Sequence, residues 1–405
     1  MLKTKDFPTM IDKIGYRFIQ KALFGVSFMI PWKFPSMIKT HDSVHELTQL
    51  LLRHKVKRVL MVSDQPLVKL NILNPYIESL RNHHIQVVVY DHVVPNPTLE
   101  NVEEGYTIAF DHHVEWLVAI GGGSVIDAAK AIGVRMVRKT TIKKLKGLLK
   151  VLKPIPPLVC IPTTAGTGSE TTVASVLSDP QTKEKFAISD PSLFPHTAIL
   201  DPTLLNTLPL PILAATGMDA LTHAIESFLN QNHTKQSRTD ALEAMNLIFK
   251  HLLPAYQTQS YEDKEQMLWA SFLAGRSFTR AYVGYVHGLA HQLGAHYHIP
   301  HGVANAVILP HVLRAYGSSI HDKLSFLYLR FIDPKTPLSV LEQANAMIEF
   351  IESMNQTLGI PKQFKELQEE DFESIIQKAY REVHPTYPVP RFLTRNQLRT
   401  ILSSI

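Results

Sequence analysis

Residues 119–133 read AIGGGSVIDAAKAIG. An apolar, strand-like run enters three consecutive glycines and leaves them as a helical repeat of apolar and small residues. Glycine lets the backbone approach a ligand closely. The helix start offers free N–H groups at the positive end of its dipole, so the segment has the makings of a phosphate cradle. It departs from the G-x-G-x-x-G fingerprint, because Ile126 stands where the last glycine belongs. A plain tight turn is the competing reading.

The flanking chain favours the cradle. Four apolar, β-branched runs, VKRVLMVSD, IQVVVYD, EWLVAI and PLVCIPTT, alternate with helical patterns such as SVHELTQLLLRH and LNPYIESLRNHH. That alternation predicts parallel βαβ units with helices on both faces. A second small-residue loop, PTTAGTGSE (162–170), follows the fourth strand, and Asp64 ends the first of these runs. Ligands of open α/β sheets bind at such strand ends, and an acid there can hold a ribose diol while repelling a 2′-phosphate. Asp64 alone reads as readily as a turn former.

Beyond Pro209 the texture turns helical, as in ILAATGMDALTHAIESFLNQ and SVLEQANAMIEFIESMNQTLG, and strand-like runs nearly vanish. The expected organisation is an N-terminal extension over 1–40, an α/β dinucleotide-binding domain over 41–209 and an α-helical metal and substrate domain over 210–405. In the extension, residues 14–32 are apolar but broken by Arg17 and Lys21, too interrupted for a spanning helix. With no small-x-small cleavage pattern after it, a secretory signal is not expected. Packing on the protein body is the expectation, with attachment to a membrane surface as the alternative.

Of 405 residues, 45% are hydrophobic and 19% charged, which fits a globular chain with a large core. The net charge of +5 is too small to argue for nucleic acid, though it suits anionic ligands such as nucleotides. The single cysteine, Cys160, excludes an internal disulfide framework and a thiolate metal cluster, and fits a reducing compartment. The basic run at 139–150 reads as a solvated helix face or loop.

Five histidines crowd YVHGLAHQLGAHYHIPHGVA (285–304). His287 and His291 share one helical face, as do Asp219 and His223 in ATGMDALTHAIES. One carboxylate with several imidazoles suits a borderline divalent ion such as Fe2+ or Zn2+. HGLAH lacks the glutamate of a zinc protease, since Gly288 takes its place. Singly, each histidine reads better as a satisfied polar residue. As a set, Asp219, His223, His287 and His301 lie in glycine-punctuated segments that permit close approach. His296 and His298 fall in a loop and read as cleft lining or plain surface.

Together these stretches resemble the iron-containing (group III) alcohol dehydrogenase family: PNPT, GGGSVIDAAKAIG, IPTTAGTGSE, LDPTLL, ATGMDALTHAIES and VHGLAHQLGAHYHIPHGVANAVILPHV, in that order over residues 58–316. The resemblance implies a dehydroquinate synthase-like α/β nucleotide-binding domain with a parallel sheet, followed by an all-helical metal-binding domain. It assigns the metal to Asp219, His223, His287 and His301, and a catalytic proton relay to His291. Gly122, Gly123 and Ser124 would hold the pyrophosphate of NAD with Asp127 nearby. Asn96, Thr163, Thr164 and Lys185 would flank it, and Asp64 would favour NAD over NADP. Fe2+ is the implied ion, with Zn2+ an option. A homodimer in the cytoplasm is also implied.

Three departures stand out. SMIKTHDSV lacks the glycine turn with which many members open, the N-terminal extension of about forty residues is outside the usual pattern, and Gln292 replaces a common proline. The expected activity is hydride transfer between a nicotinamide and a small alcohol or aldehyde, in a cleft lined by side chains such as Phe272, Phe278, Tyr282 and His298. The alternatives are a non-redox, NAD- and metal-using lyase of the dehydroquinate synthase type, which would need Lys or Arg near the metal (Arg276 and Arg280 are the nearest), and a non-enzymatic protein whose N-terminus docks a partner or membrane.

Overall fold

The computed structural model describes residues 10–30, 32–182 and 184–405. Residues 1–9 of the expected extension lie outside the described residues. Helix α1 (Met10–Ser27) leads into an α/β unit: β1 (Ser36–Lys39), α2 (Ser43–Arg53), β2 (Arg58–Val62), α3 (Gln65–Lys69), α4 (Asn74–Asn82), β3 (Gln86–Tyr90), α5 (Leu99–Asp111), β4 (Trp116–Gly121), α6 (Gly123–Val137), β5 (Gly147–Leu148), β6 (Leu158–Pro162), β7 (Ala174–Asp179), β8 (Glu184–Ser189) and β9 (Thr197–Leu200). From Leu210 onward the described elements are helices: α7 (Leu210–Leu229), α8 (Lys235–Thr258), α9 (Tyr261–Ala281), α10 (Tyr285–Tyr297), α11 (His301–Tyr316), α12 (His321–Phe331), α13 (Val340–Thr357), α14 (Phe372–Val383) and α15 (Arg395–Ser404), with short 3-10 turns between some of them.

The main sheet runs β1-β9-β6-β4-β2-β3, every pair parallel. Its central strands β4 and β6 are buried along their whole length, because helices cover both faces. Alternate residues of β2 go to opposite sides. Leu60 and Val62 pack with Val102 and Ile126 of α5 and α6, while Val59 and Met61 pack with Leu47 and Leu80 of α2 and α4. The chain steps from β2 outward to β3 and then returns to β4, so the order reverses between β2 and β4. The crevice outside their carboxyl ends is where such sheets take ligands, and Gly122 opens α6 at that point.

Five strands, β1, β5, β7, β8 and β9, lie outside the four runs read as strands from the sequence. Ser36–Lys39, four residues without a glycine turn, becomes an edge strand in register with Thr197–Leu200. β7 and β8 form an antiparallel ribbon with β5 at its edge, and the basic run at 139–150 supplies a 3-10 turn together with β5. These short pieces are strands only because distant partners satisfy their N–H and C=O groups.

Loop 162–170 is fastened from below. Lys130 of α6 is wholly buried, and its Nζ donates to Ser169 O and Oγ, Thr172 O and Oγ1, and Ala174 O at 2.6 to 3.1 Å. The loop also lies hard against the helical lobe. Gly168 sits at φ +60°, and a Cβ on it would fall 2.6 Å from Gly275 Cα of α9. Only glycine on both sides lets the two lobes approach this closely.

Lys130→Met fills the same volume but strands five buried oxygens. We expect it to lower the unfolding free energy by about 3 kcal/mol or more, measured by urea denaturation. A change within error would mean that water replaces the ammonium.

Candidate active site

Helix α7 is buried on all sides from Gly217 to Leu229, packed between α8, α9 and α11. Ionisable groups on such a helix must find partners or act on something. Asp219, His223 and Glu226 are spaced four and three residues apart, which stacks them on one face. α11 and the start of α10 bring the remaining imidazoles to that face.

Asp219, His223 and His287 are buried, with their candidate ligand atoms all within 4.8 Å of one another. His287 Nε2 and His301 Nε2 each lie 3.7 Å from Asp219 Oδ1, and His223 Nδ1 lies 4.0 Å from it. The Asn305 amide nitrogen donates to Asp219 Oδ1 at 2.6 Å and faces His287 Nε2 and His301 Nε2 at 3.2 Å. Three lone pairs thus converge on one two-proton donor, while His223 Nδ1 is buried without a partner. A surplus of lone pairs around one point, in a nitrogen- and oxygen-rich set, fits a divalent cation.

The charge states of Asp219 and His223 agree with that fit, while His287 would give up a proton to the ion. Burial holds the His223 imidazolium down, to a pKa of about 3, so the ring presents a free lone pair. Burial pushes Asp219 up, but the surrounding imidazoles outweigh it and hold the carboxyl below its ordinary range. His287 resists protonation through burial, yet Asp219 and Glu226 on its two sides raise it to about 9.

Glu226 falls inside the stretch ATGMDALTHAIES, and its only signal of a role is its spacing from His223. One of its oxygens accepts from Val286 N and the other from Gly284 N, both at 2.9 Å, and the latter also meets His287 Nδ1 at 2.6 Å. A carboxylate can only accept here, so Nδ1 carries a proton and Nε2 faces the site, where a bound cation would displace the second proton. Gly284 is required for this, because a Cβ there would stand 2.7 Å from Glu226 Oε1. Between α9 and α10 the backbone is forced. Tyr282 takes φ +63°, ψ 176°, a conformation suited to glycine. Asn230 Nδ2 holds it by donating to the carbonyls of Ala281, Tyr282 and Val283.

His291 stands beside the cluster, its ring stacked on His301 at 5.0 Å and 16°. Its Nδ1 meets Glu382 Oε1 of α14 at 2.6 Å. Gln292, the residue in the proline's place, donates to the other oxygen of Glu382 at 2.9 Å, and Tyr387 Oη donates to Glu382 Oε1 at 3.4 Å. Glu382 was invisible in the sequence because 90 residues separate it from Gln292.

On the nucleotide side, Gly122 starts α6 without any side-chain cap, leaving that helix end open. Ser124 Oγ accepts from Asn96 N at 3.3 Å, and Asn96 sits at φ +58° in its proline-flanked turn. Thr163 N donates to Gly121 O, and Thr164 lies against Gly122. Asp64 caps α3 by accepting from Leu67 N at 3.0 Å, with burial raising its pKa. Both Asp127 oxygens are engaged, by Ser169 Oγ at 2.6 Å and Val176 N at 3.0 Å. Lys185 of β8 reaches the seam between the lobes. Burial lowers its pKa, opposed by Asp127 from one lobe and by Glu382 and Asp219 from the other. The nucleotide-side loop meets the helical lobe at Gly166, where a Cβ would fall 2.4 Å from Thr216 of α7.

Of the expected cleft residues, Phe278 stacks on His223 at 4.2 Å. Phe272 does not line a cleft, because it is buried against Trp269 in the helical core. His298 is exposed and ends α10 at φ +57°, and exposed His296 pairs with Asp371.

Residues 35–202 match the iron-containing alcohol dehydrogenase family, and residues 213–405 match the C-terminal region of Fe-containing alcohol dehydrogenases. The chain is 37% identical to 1,3-propanediol dehydrogenase of Citrobacter freundii over 80% of its own length and 86% of the relative's. To NAD-dependent methanol dehydrogenase of Bacillus methanolicus it is 32% identical, covering 93% and 99%. A crystal structure of 1,3-propanediol oxidoreductase superposes with a TM-score of 0.87 at 32% identity, over 92% of this chain and 99% of that one. Sequence and fold agree over both lobes, and the chain belongs to the iron-containing alcohol dehydrogenase family.

Proposed function

We propose that this protein is a metal-dependent, NAD-linked alcohol dehydrogenase and aldehyde reductase acting on small alcohols or aldehydes. Membership of the family makes it an oxidoreductase of CH–OH groups. The observation that carries the reading is the convergence of buried Asp219, His223 and His287, with the partly exposed His301 Nε2 3.7 Å from Asp219 Oδ1. These four residues would hold Fe2+, with Zn2+ also compatible with the donor set. The ion supplies a Lewis acid for the carbinol or carbonyl oxygen, and NAD supplies the hydride acceptor or donor.

The chain's own groups do the rest. The open N-terminus of α6, with Gly122, Gly123 and Ser124, takes the pyrophosphate through backbone N–H groups. Asn96, Thr163 and Thr164 flank it, and Asp127 acts from beneath by tying Ser169 and β7 in place. The Asp64 oxygen not used in capping receives the ribose diol, which favours NAD over NADP. Lys185 places a positive charge at the seam, next to the nicotinamide ribose. Phe278 keeps water from the back of His223. His291 exchanges the substrate proton with solvent through Nε2, because its Nδ1 is committed to Glu382. Glu382 is a positioning residue, itself held by Gln292 and Tyr387.

Arginine placement argues against the lyase alternative. Arg276 is spent on a bidentate pair with Asp240 at 2.7 Å, and Arg280 is stacked on Trp32 at 4.1 Å. Neither is offered to a phosphorylated substrate at the metal set. The family resemblance supports a homodimer, and the lone, buried Cys160 fits a reducing cytoplasm.

Metal-loaded protein given NADH and a panel of short aldehydes should consume the reduced-nicotinamide absorbance. Chelation should abolish this, and added Fe2+ or Zn2+ should restore it. No turnover with metal bound would overturn the assignment, as would full activity in Asp219→Asn. Glu226→Gln should weaken metal affinity about 10- to 100-fold, read by competition with a chromogenic chelator. Glu382→Ala should lower kcat by about tenfold or more with KM and metal content little changed. A matching loss of metal would instead make Glu382 a purely structural residue.

A further inference from the structure

Helix α1 packs on the protein with its polar side. Gln20 is buried and donates to Pro385 O and Tyr387 O at 2.9 and 2.8 Å. Arg17 lies over the Phe392 ring at 4.1 Å, Tyr16 stacks on His384 at 5.4 Å, and Asn232 donates to Gln20 O at 3.0 Å. The apolar side consequently points away. Ile14, Phe18, Ala22, Val26 and Met29 follow one another at intervals of three or four residues along the exposed surface. Ile14 is 63% exposed, Phe18 75% and Met29 84%. Single exposed apolar residues are ordinary, but a continuous stripe along one helix marks a docking face.

The charge distribution indicates what the face meets. Of the chain's 41 Lys and Arg and 36 Asp and Glu, residues 1–40 hold seven and two. The other 365 residues therefore carry equal numbers of each sign, and the whole positive excess falls within the first forty residues of the sequence. Exposed Lys21 belongs to the helix itself. Just past its end, Phe28 borders a cavity of about 270 Å3 that also contains the Arg280 guanidinium. Among the described residues, Arg280 has no carboxylate partner. A second copy of the chain would bring two such cationic segments together, at an electrostatic cost. An anionic lipid surface satisfies both the stripe and the charge. We propose that α1 lies flat on an anionic membrane surface, with Ile14, Phe18, Val26 and Met29 entering the headgroup–acyl boundary and the lysines among the headgroups. No helix is long and apolar enough to cross a membrane among the described residues, so the contact is peripheral.

The test is flotation of the full-length protein with phosphatidylcholine vesicles and with vesicles containing phosphatidylglycerol. We expect binding to the mixed vesicles roughly tenfold or more above the neutral ones, weakening with added salt. Phe18→Ser/Met29→Ser and Lys21→Glu should each reduce it several-fold while leaving aldehyde reduction unchanged. Equal binding to both vesicle types, no binding, or binding indifferent to both variants would overturn the proposal. So would lipid-free sedimentation in which the Phe18→Ser/Met29→Ser protein falls to half the native mass, since a second copy would then cover the stripe.

Discussion

The carboxylate of Glu226 is the constraint on which the rest of the site depends. It is buried on α7 and accepts from two backbone N–H groups at the start of α10 and from His287 Nδ1. One group therefore caps a helix, joins two helices and fixes a histidine tautomer. A charge this deep is tolerated because three donors replace its hydration. Without it the open end of α10 would be unsatisfied and the His287 ring free to turn. The abrupt backbone at Tyr282 and the absence of a side chain at Gly284 are the local costs of bringing α10 onto that carboxylate.

The same arrangement recurs elsewhere in the candidate site. Lys130 sits beneath loop 162–170 as Glu226 sits behind His287, a buried charge surrounded by partners of the other polarity. Glu382 stands behind His291, held in turn by Gln292 and Tyr387. His287, His291 and loop 162–170 are each held by a residue behind them, which keeps their geometry in place without the ligand. Gln292, a departure from the common proline, becomes part of this support.

The N-terminal helix is connected to that support. Gln20 binds the carbonyl of Tyr387, and the Tyr387 hydroxyl binds Glu382. The segment that anchors α1 is therefore the one that buttresses His291. Its polar side is spent inward on backbone carbonyls, and that is why its apolar side is left outside.

Much of this was legible in the chain itself. Continuous apolar, β-branched runs ending in small-residue loops specify parallel strands buried on both faces, with ligand loops at their carboxyl ends. Four-residue spacing places Asp219 and His223 on one helical face by helix geometry alone. Short strands such as Ser36–Lys39 and Thr197–Leu200 were not legible, because their identity lies in a pairing 161 residues apart. Glu382 was silent, Glu226 showed only its spacing from His223, and Phe272 misled because an aromatic residue looks the same in a core as in a cleft. Local sequence determined which residues could do the chemistry, through backbone period, glycine and donor type. Only the tertiary fold decided which carboxylate stands behind which imidazole and which face of α1 meets solvent, because those depend on contacts between segments whose separation leaves no trace in local spacing.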